Sequence, residues 1–263
     1  MKANTSFFER YALQAFLILT PLFTFTIVLL PLPAEVLPLL MVFIPAILAV
    51  LLTSITEGRR GAGALLRKPF DWRVRIKWYG ITLILAFSIR LAMSVLALLL
   101  GWIPAIQLRQ WPVSQFVLLG AILLISALLE GVGWRAYALP KLLERRSALF
   151  SGLLTGILWG SVHIPLHLPG MIYASAPWIA TVLELVAFSV VITWLFIQTR
   201  GNVLITVLFH AAQSFFVVIN EGISLDQQLW LMAVVYIVLA LVIALVYGPN
   251  LKREPLQETV FTL

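Results

Sequence analysis

The chain has 263 residues, of which 62% are hydrophobic and only 11% charged, with a mean hydropathy of +1.03. Soluble domains carry about half apolar and about a quarter charged residues, so a water-soluble globular fold is excluded and a membrane protein is indicated. Cysteine is absent, which removes disulfides, thiolate metal sites, a cysteine nucleophile and lipidated cysteine from consideration.

A bilayer span needs about 20 predominantly apolar residues. Read on that rule, the sequence predicts an all-α polytopic bundle of about eight spans. These cover 11–31, 36–54, 78–101, 115–137, 148–166, 178–197, 203–220 and 229–247. No internal repeat, low-complexity tract or soluble domain interrupts them, so residues 1–263 read as one membrane-embedded domain. The first segment lacks a small-residue cleavage site and reads as a retained helix.

All but Arg90 and Arg109 of the 18 basic residues fall on one side of this topology. They comprise Lys2 and Arg10, a cluster from Arg59 to Lys77, another from Arg135 to Arg146, then Arg200, Lys252 and Arg253. The positive-inside rule therefore predicts a cell-membrane protein with both termini cytoplasmic. Topology accounts for the net charge of +7, with membrane lipid as partner and no role for nucleic acid.

Ionisable groups at bilayer depth are costly, which makes each a candidate for function. In chain order they are Arg90, Glu130, His163, Glu184 and His210. Arg90 and Glu184 read as a structural ion pair between segments three and six. Glu130 shares a helical face with Ser126, Trp134 and Tyr137, with Arg135 one step round. Its plainest role is an ion pair with Arg135 or Arg90. His163 follows Gly152, Gly156 and Gly160, a small-residue stripe that suits close helix packing, internal or between copies. His167, beyond Pro165, reads as an interfacial histidine. His210 lies in a polar stripe with Thr206, Gln213 and Ser214, which turns that helix toward the bundle or a wet cavity.

One carboxylate and two imidazoles on three helices are the parts of a hydrolytic site. A carboxylate can act as general base toward water. Histidines can polarise a carbonyl, steady an oxyanion or bind a metal that generates hydroxide. The soluble zinc-protease pattern His-Glu-x-x-His is absent. Residue types and spacing alone reach a polar cavity in a helical bundle and leave enzyme and transporter both open.

At these segments the sequence resembles the CPBP family of intramembrane proteases, which includes the CAAX prenyl endopeptidases. The family's Glu-Glu-x-x-x-Arg motif is matched by Glu130 and Arg135, running from Trp134 to Pro140 in a bacterial style. Its aromatic-x-x-x-His motif is matched by Trp159 and His163, with Pro165 following. Its third motif, His then after three residues Asn or a small polar residue, is matched by His210 and Ser214. Order and inter-motif spacing also fit, over about residues 80 to 220.

The resemblance implies an endopeptidase that hydrolyses a peptide bond of a membrane protein or lipid-anchored peptide. Glu130 and His163 would activate water, and His210 with Ser214 would steady the oxyanion; Trp134, Arg135, Trp159 and Gln213 would support them. A zinc or other divalent metal could take Glu130, His163 and His210 as ligands, leaving an open position. Two departures stand out: the family's second Glu is Gly131, and its usual Asn is Ser214. They keep open a degenerate membrane-binding or immunity-type protein; a small transporter is a third reading, and the chain lacks a transporter-like repeat. The expected depths also conflict. At about 1.5 Å per residue, His210 and Glu130 lie about 10 and 14 Å from the basic ends of their segments, but His163 lies about 22 Å away.

Overall fold

A computed structural model describes residues 7–219 and 222–252. Among these the fold is all helical, as the apolar periodicity requires in lipid, where backbone groups must pair within their own segment. The order is α1 (Phe7–Ile27), α2 (Leu37–Arg67), α3 (Lys77–Leu99), α4 (Val113–Glu130), α5 (Leu139–Leu143), α6 (Ala148–Ser161), α7 (Trp178–Gln198), α8 (Val203–Phe215) and α9 (Leu225–Tyr247). A π-helical stretch, Gly131–Ala138, joins α4 to α5 into one continuous rod. α2 is kinked at Gly58, whose φ of 70° lies in the left-handed region that glycine tolerates.

Six of the predicted segments are long and apolar enough to cross a bilayer, among them Leu37–Phe70 and Val113–Leu143. The other two are shorter. α6 has 14 residues and α8 has 13, or about 20 Å each against a hydrocarbon thickness of about 30 Å. α6 stops at Ser161 because Pro165 has no N–H to bond the Ser161 carbonyl and its ring crowds that carbonyl; a 3₁₀ turn, Ile164–His167, follows.

These lengths resolve the conflict of depths. Glu130 lies 13 residues, about 20 Å, from the end of its rod at Leu143, close to the depth of His163 in α6. α8 begins inside the bundle, with Asn202, Val203 and Ile205 all buried. His210 therefore reaches the same level from a recessed start.

Around its large buried aromatics the interior also relies on close backbone approach. The glycine stripe of α6 packs internally on α7. A Cβ at Gly156 would lie 2.7 Å from the Val186 Cα, and one at Gly160 would lie 3.1 Å from the Val182 Cα. Gly133, in the π-helical stretch, faces α2 still more tightly: a Cβ there would lie 2.5 Å from the Pro45 Cβ and 2.7 Å from its backbone carbonyl. Backbone on the far side leaves nothing soft to yield. Gly133→Ala should therefore cost about 1–3 kcal/mol through overpacking, read as a lowered unfolding temperature in detergent micelles; an unchanged temperature would refute the contact. α1 closes the other side of this stretch through Phe16, which meets Trp134 edge-on at 5.3 Å and Tyr137 at 5.1 Å.

Candidate active site

Glu130 is the last α-helical residue of α4 and is buried. Its carboxylate is fixed by Trp159 of α6, whose indole Nε1–H donates to Oε1 at 2.8 Å. One turn on from Trp159, His163 sits where α6 ends, with Nδ1 2.7 Å from the Trp159 carbonyl oxygen. A carbonyl can only accept, so Nδ1 carries the hydrogen. In the neutral form of the ring the lone pair is then on Nε2, which lies 4.0 Å from Glu130 Oε1. From α8, His210 brings its Nε2 to 3.8 Å from Oε2. The three ionisable groups picked out by spacing thus meet around one carboxylate.

Trp159 organises the group. Its ring stands edge-to-face with His210 at 5.1 Å and His163 at 6.0 Å. The guanidinium of Arg135 lies over it at 4.8 Å. Arg135 is buried, and it makes no ion pair with Glu130 within 4 Å among the described residues. The expected Glu130–Arg135 contact is therefore replaced by an indole between the two charges. The π-helical stretch is what places Arg135 there, because its i→i+5 pattern stacks residues five apart. At α-helical spacing Arg135 would point well away from Glu130. Trp134 lines the site beside Glu130, whereas Tyr137 turns to Phe16.

Two cavities adjoin the cluster, one of them reaching the carboxylate itself. One of about 130 Å³ is lined by Glu130, Trp134, His163 and Tyr173. The other, of about 280 Å³, is lined by Trp159, His163, His210, Ser214 and Gln213, with Arg90 and Glu184 further along its wall. The expected Arg90–Glu184 ion pair is not closed: no nitrogen–oxygen contact within 4 Å joins them among the described residues. Arg90 instead donates from Nη2 to the Gln213 carbonyl at 3.2 Å, and among the described residues its Nε has no partner. Gln213 is buried, and its amide oxygen finds no partner among the described residues either. Thr206 turns its hydroxyl back to the Val203 carbonyl at 2.7 Å. His167 lies apart from the cluster and ties the 164–177 segment together through the Ala176 carbonyl, 2.8 Å from Nδ1.

Among the described residues no three His, Asp or Glu side chains are grouped so as to hold a metal ion. The two imidazoles address different oxygens of Glu130, and the Trp159 donor occupies one of them. The arrangement therefore does not fit a three-ligand metal site, and no step is derived through one.

Three residues of this region escaped the sequence reading. Tyr173 comes from the loop before α7, and no motif marks it. Phe188, against Trp159 at 5.5 Å and His210 at 5.6 Å, looks in sequence like any lipid-facing aromatic. Val207, one turn before His210, fills the space beside Gly131: a Cβ on that glycine would lie 2.6 Å from Val207 Cγ2.

Residues 112–216, which include all three motifs, match the family model described as Type II CAAX prenyl endopeptidase Rce1-like. The chain is also similar to a CAAX prenyl protease 2 of Methanococcus maripaludis, at 27% identity over 140 residues. That alignment takes in 49% of this chain and 50% of the relative, so the chain spans about half the length of the protein it matches. Both findings support the CPBP family resemblance carried by the motifs.

Proposed function

We propose that the chain is a membrane-embedded endopeptidase that cleaves a membrane protein or lipid-anchored peptide, with Glu130 as general base. The observation that carries this reading is the convergence of His163 Nε2 on Glu130 Oε1 and of His210 Nε2 on Oε2, with both imidazoles lining a 280 Å³ cavity. A separation of 4.0 Å is too long for a direct hydrogen bond and suits one bridging water at about 2.8 Å from each partner. With Glu130 ionised and His163 neutral, as a general base requires, both partners accept, because the His163 hydrogen is committed to the Trp159 carbonyl. The water gives one hydrogen to each and turns a lone pair outward, toward the cavity.

Attack on a peptide carbonyl carbon forms the new C–O bond as the water's proton passes to Glu130. The carbonyl π electrons move to oxygen, where His210 and the Ser214 hydroxyl can donate. Collapse of that intermediate breaks the C–N bond, and Glu130 returns its proton to the leaving nitrogen. Trp159 holds the carboxylate throughout. Arg135, over the indole ring, polarises the Nε1–H donor. Arg90 and Glu184 line the same cavity as opposite charges available to a polar substrate segment. The distribution of basic residues supports an orientation in the cell membrane with both termini cytoplasmic.

One observation favours a second reading, a family member that binds without cutting. Val207 occupies the space beside Gly131, so the second carboxylate is sterically replaced as well as missing. The two readings part in cells carrying wild type, a deletion or Glu130→Gln. New protein termini in the membrane proteome with wild type alone establish the protease and name its substrate. Identical termini in all three strains refute it, and a phenotype that Glu130→Gln preserves assigns the chain to binding.

A further inference from the structure

At the basic end of the bundle, away from Glu130, the segment between α2 and α3 and the turn between α7 and α8 enclose a cleft of about 470 Å³. Four cations line it: Arg73, Arg75, Lys77 and Arg200. Asp71 is the one carboxylate in the lining, and it accepts the backbone N–H of Arg73 at 3.1 Å. None of the four cations forms an ion pair within 4 Å among the described residues. We propose that this cleft is a binding site for the phosphate of an anionic phospholipid headgroup.

The cleft is built, not a chance gathering of surface arginines. Buried Asn202 joins its two walls: the side-chain amide donates to the Asp71 carbonyl at 2.7 Å, and its oxygen caps α8 by accepting from the Ile205 N–H at 3.0 Å. The Tyr79 hydroxyl pins the Trp72 carbonyl at 3.0 Å. α7 ends in a Schellman turn, in which the Gly201 N–H bonds the Phe196 carbonyl at 2.8 Å and the Arg200 N–H bonds the Ile197 carbonyl at 3.1 Å. The left-handed position of such a turn is usually glycine, and here it holds Arg200 at φ 58°. An arginine in the left-handed region occupies a position where a glycine would close the turn more easily, and that residue lines the cleft with the other three cations.

Placement selects a lipid over a soluble anion. The cleft lies where two membrane spans end, at the first residue of α3 and just past the last of α7. Phe70, Trp72 and Ile76 flank it at 65%, 71% and 83% exposure, which suits the bilayer interface and acyl chains beside the headgroup.

The test is native mass spectrometry of the purified full chain from detergent, titrated with phosphatidylglycerol, phosphatidylcholine or inorganic phosphate. Phosphatidylglycerol should be retained and phosphatidylcholine should not. Arg73→Gln with Arg75→Gln should weaken retention roughly thirtyfold. Arg59→Gln with Arg60→Gln removes equal charge from exposed positions on α2 outside the cleft, and should leave retention unchanged. Arg200→Gly is the sharper variant, because its two readouts move oppositely: the unfolding temperature should rise as the turn relaxes, while retention weakens roughly fivefold. Equal losses in both arginine pairs, no preference over phosphatidylcholine, or unaltered retention in Arg200→Gly would overturn the site. Displacement of the lipid by equimolar inorganic phosphate would overturn the lipid assignment and make it a free-anion site.

Discussion

Purified Glu130→Gln is expected to fold as wild type does and to cleave at least about a hundredfold more slowly, since a positioned general base contributes about 10²–10⁴. The glutamine amide keeps an oxygen to accept the Trp159 Nε1–H, so packing around the indole is retained. What it loses is the ability to take a proton from water and return it to the leaving nitrogen. The rate should be measured in proteoliposomes on the substrate identified from new membrane-protein termini, alongside an unfolding temperature for each protein. Trp159→Phe makes the complementary cut. It keeps an aromatic face for Arg135 but removes the donor to a charged oxygen, a bond worth enough to slow cleavage roughly tenfold or more. Equal turnover by Glu130→Gln and wild type would remove the carboxylate from the chemistry. A slow Trp159→Phe with intact folding would assign the indole a positioning role that its burial alone does not require.

The parts of this site were legible in the sequence to different depths, for physical reasons. Glu130, His163 and His210 stood out because ionisable groups are scarce in apolar helices, and their meeting followed from three motifs on three segments. Arg135 was visible as a residue but not in its true direction, because α-helical spacing was applied to a π-helical stretch. Hydrophobic periodicity cannot show that shift, since both helix types bury the same residues here. The shortness of α6 and α8 was masked in the same way: the apolar runs continue through 3₁₀ turns at Ile164–His167 and Phe216–Val218. Arg90 and Glu184 were paired on the argument that lone charges are intolerable at depth, but a polar cavity and the Gln213 carbonyl supply the alternative. The glycine stripe was read by spacing alone, yet only the packed structure identifies α7 as its partner.

Gly131 carries the second large expectation, because it is where the sequence departs from the family motif and where the structure gives the departure a cause. A Cβ on Gly131 would lie 2.6 Å from Val207 Cγ2. Valine is β-branched and stiff about χ1, so the methyl cannot swing aside cheaply. Gly131→Ala therefore sets an overpacking cost of about 1–3 kcal/mol against a helix-propensity gain of about 1 kcal/mol, and the net effect should be a lower unfolding temperature. In a Val207→Ala background the clash is gone and only the gain remains, so the same substitution should raise the unfolding temperature. That reversal of sign is the diagnostic result; a coupling near zero between the two positions would refute the contact. The same logic governs Gly131→Glu. Alone, it should yield little folded protein; combined with Val207→Ala, it should recover a folded chain bearing both carboxylates of the family pattern. Cleavage by wild type would then show that one carboxylate suffices. Cleavage by the double variant alone would show that Val207 and Gly131 together turned a protease into a binding protein.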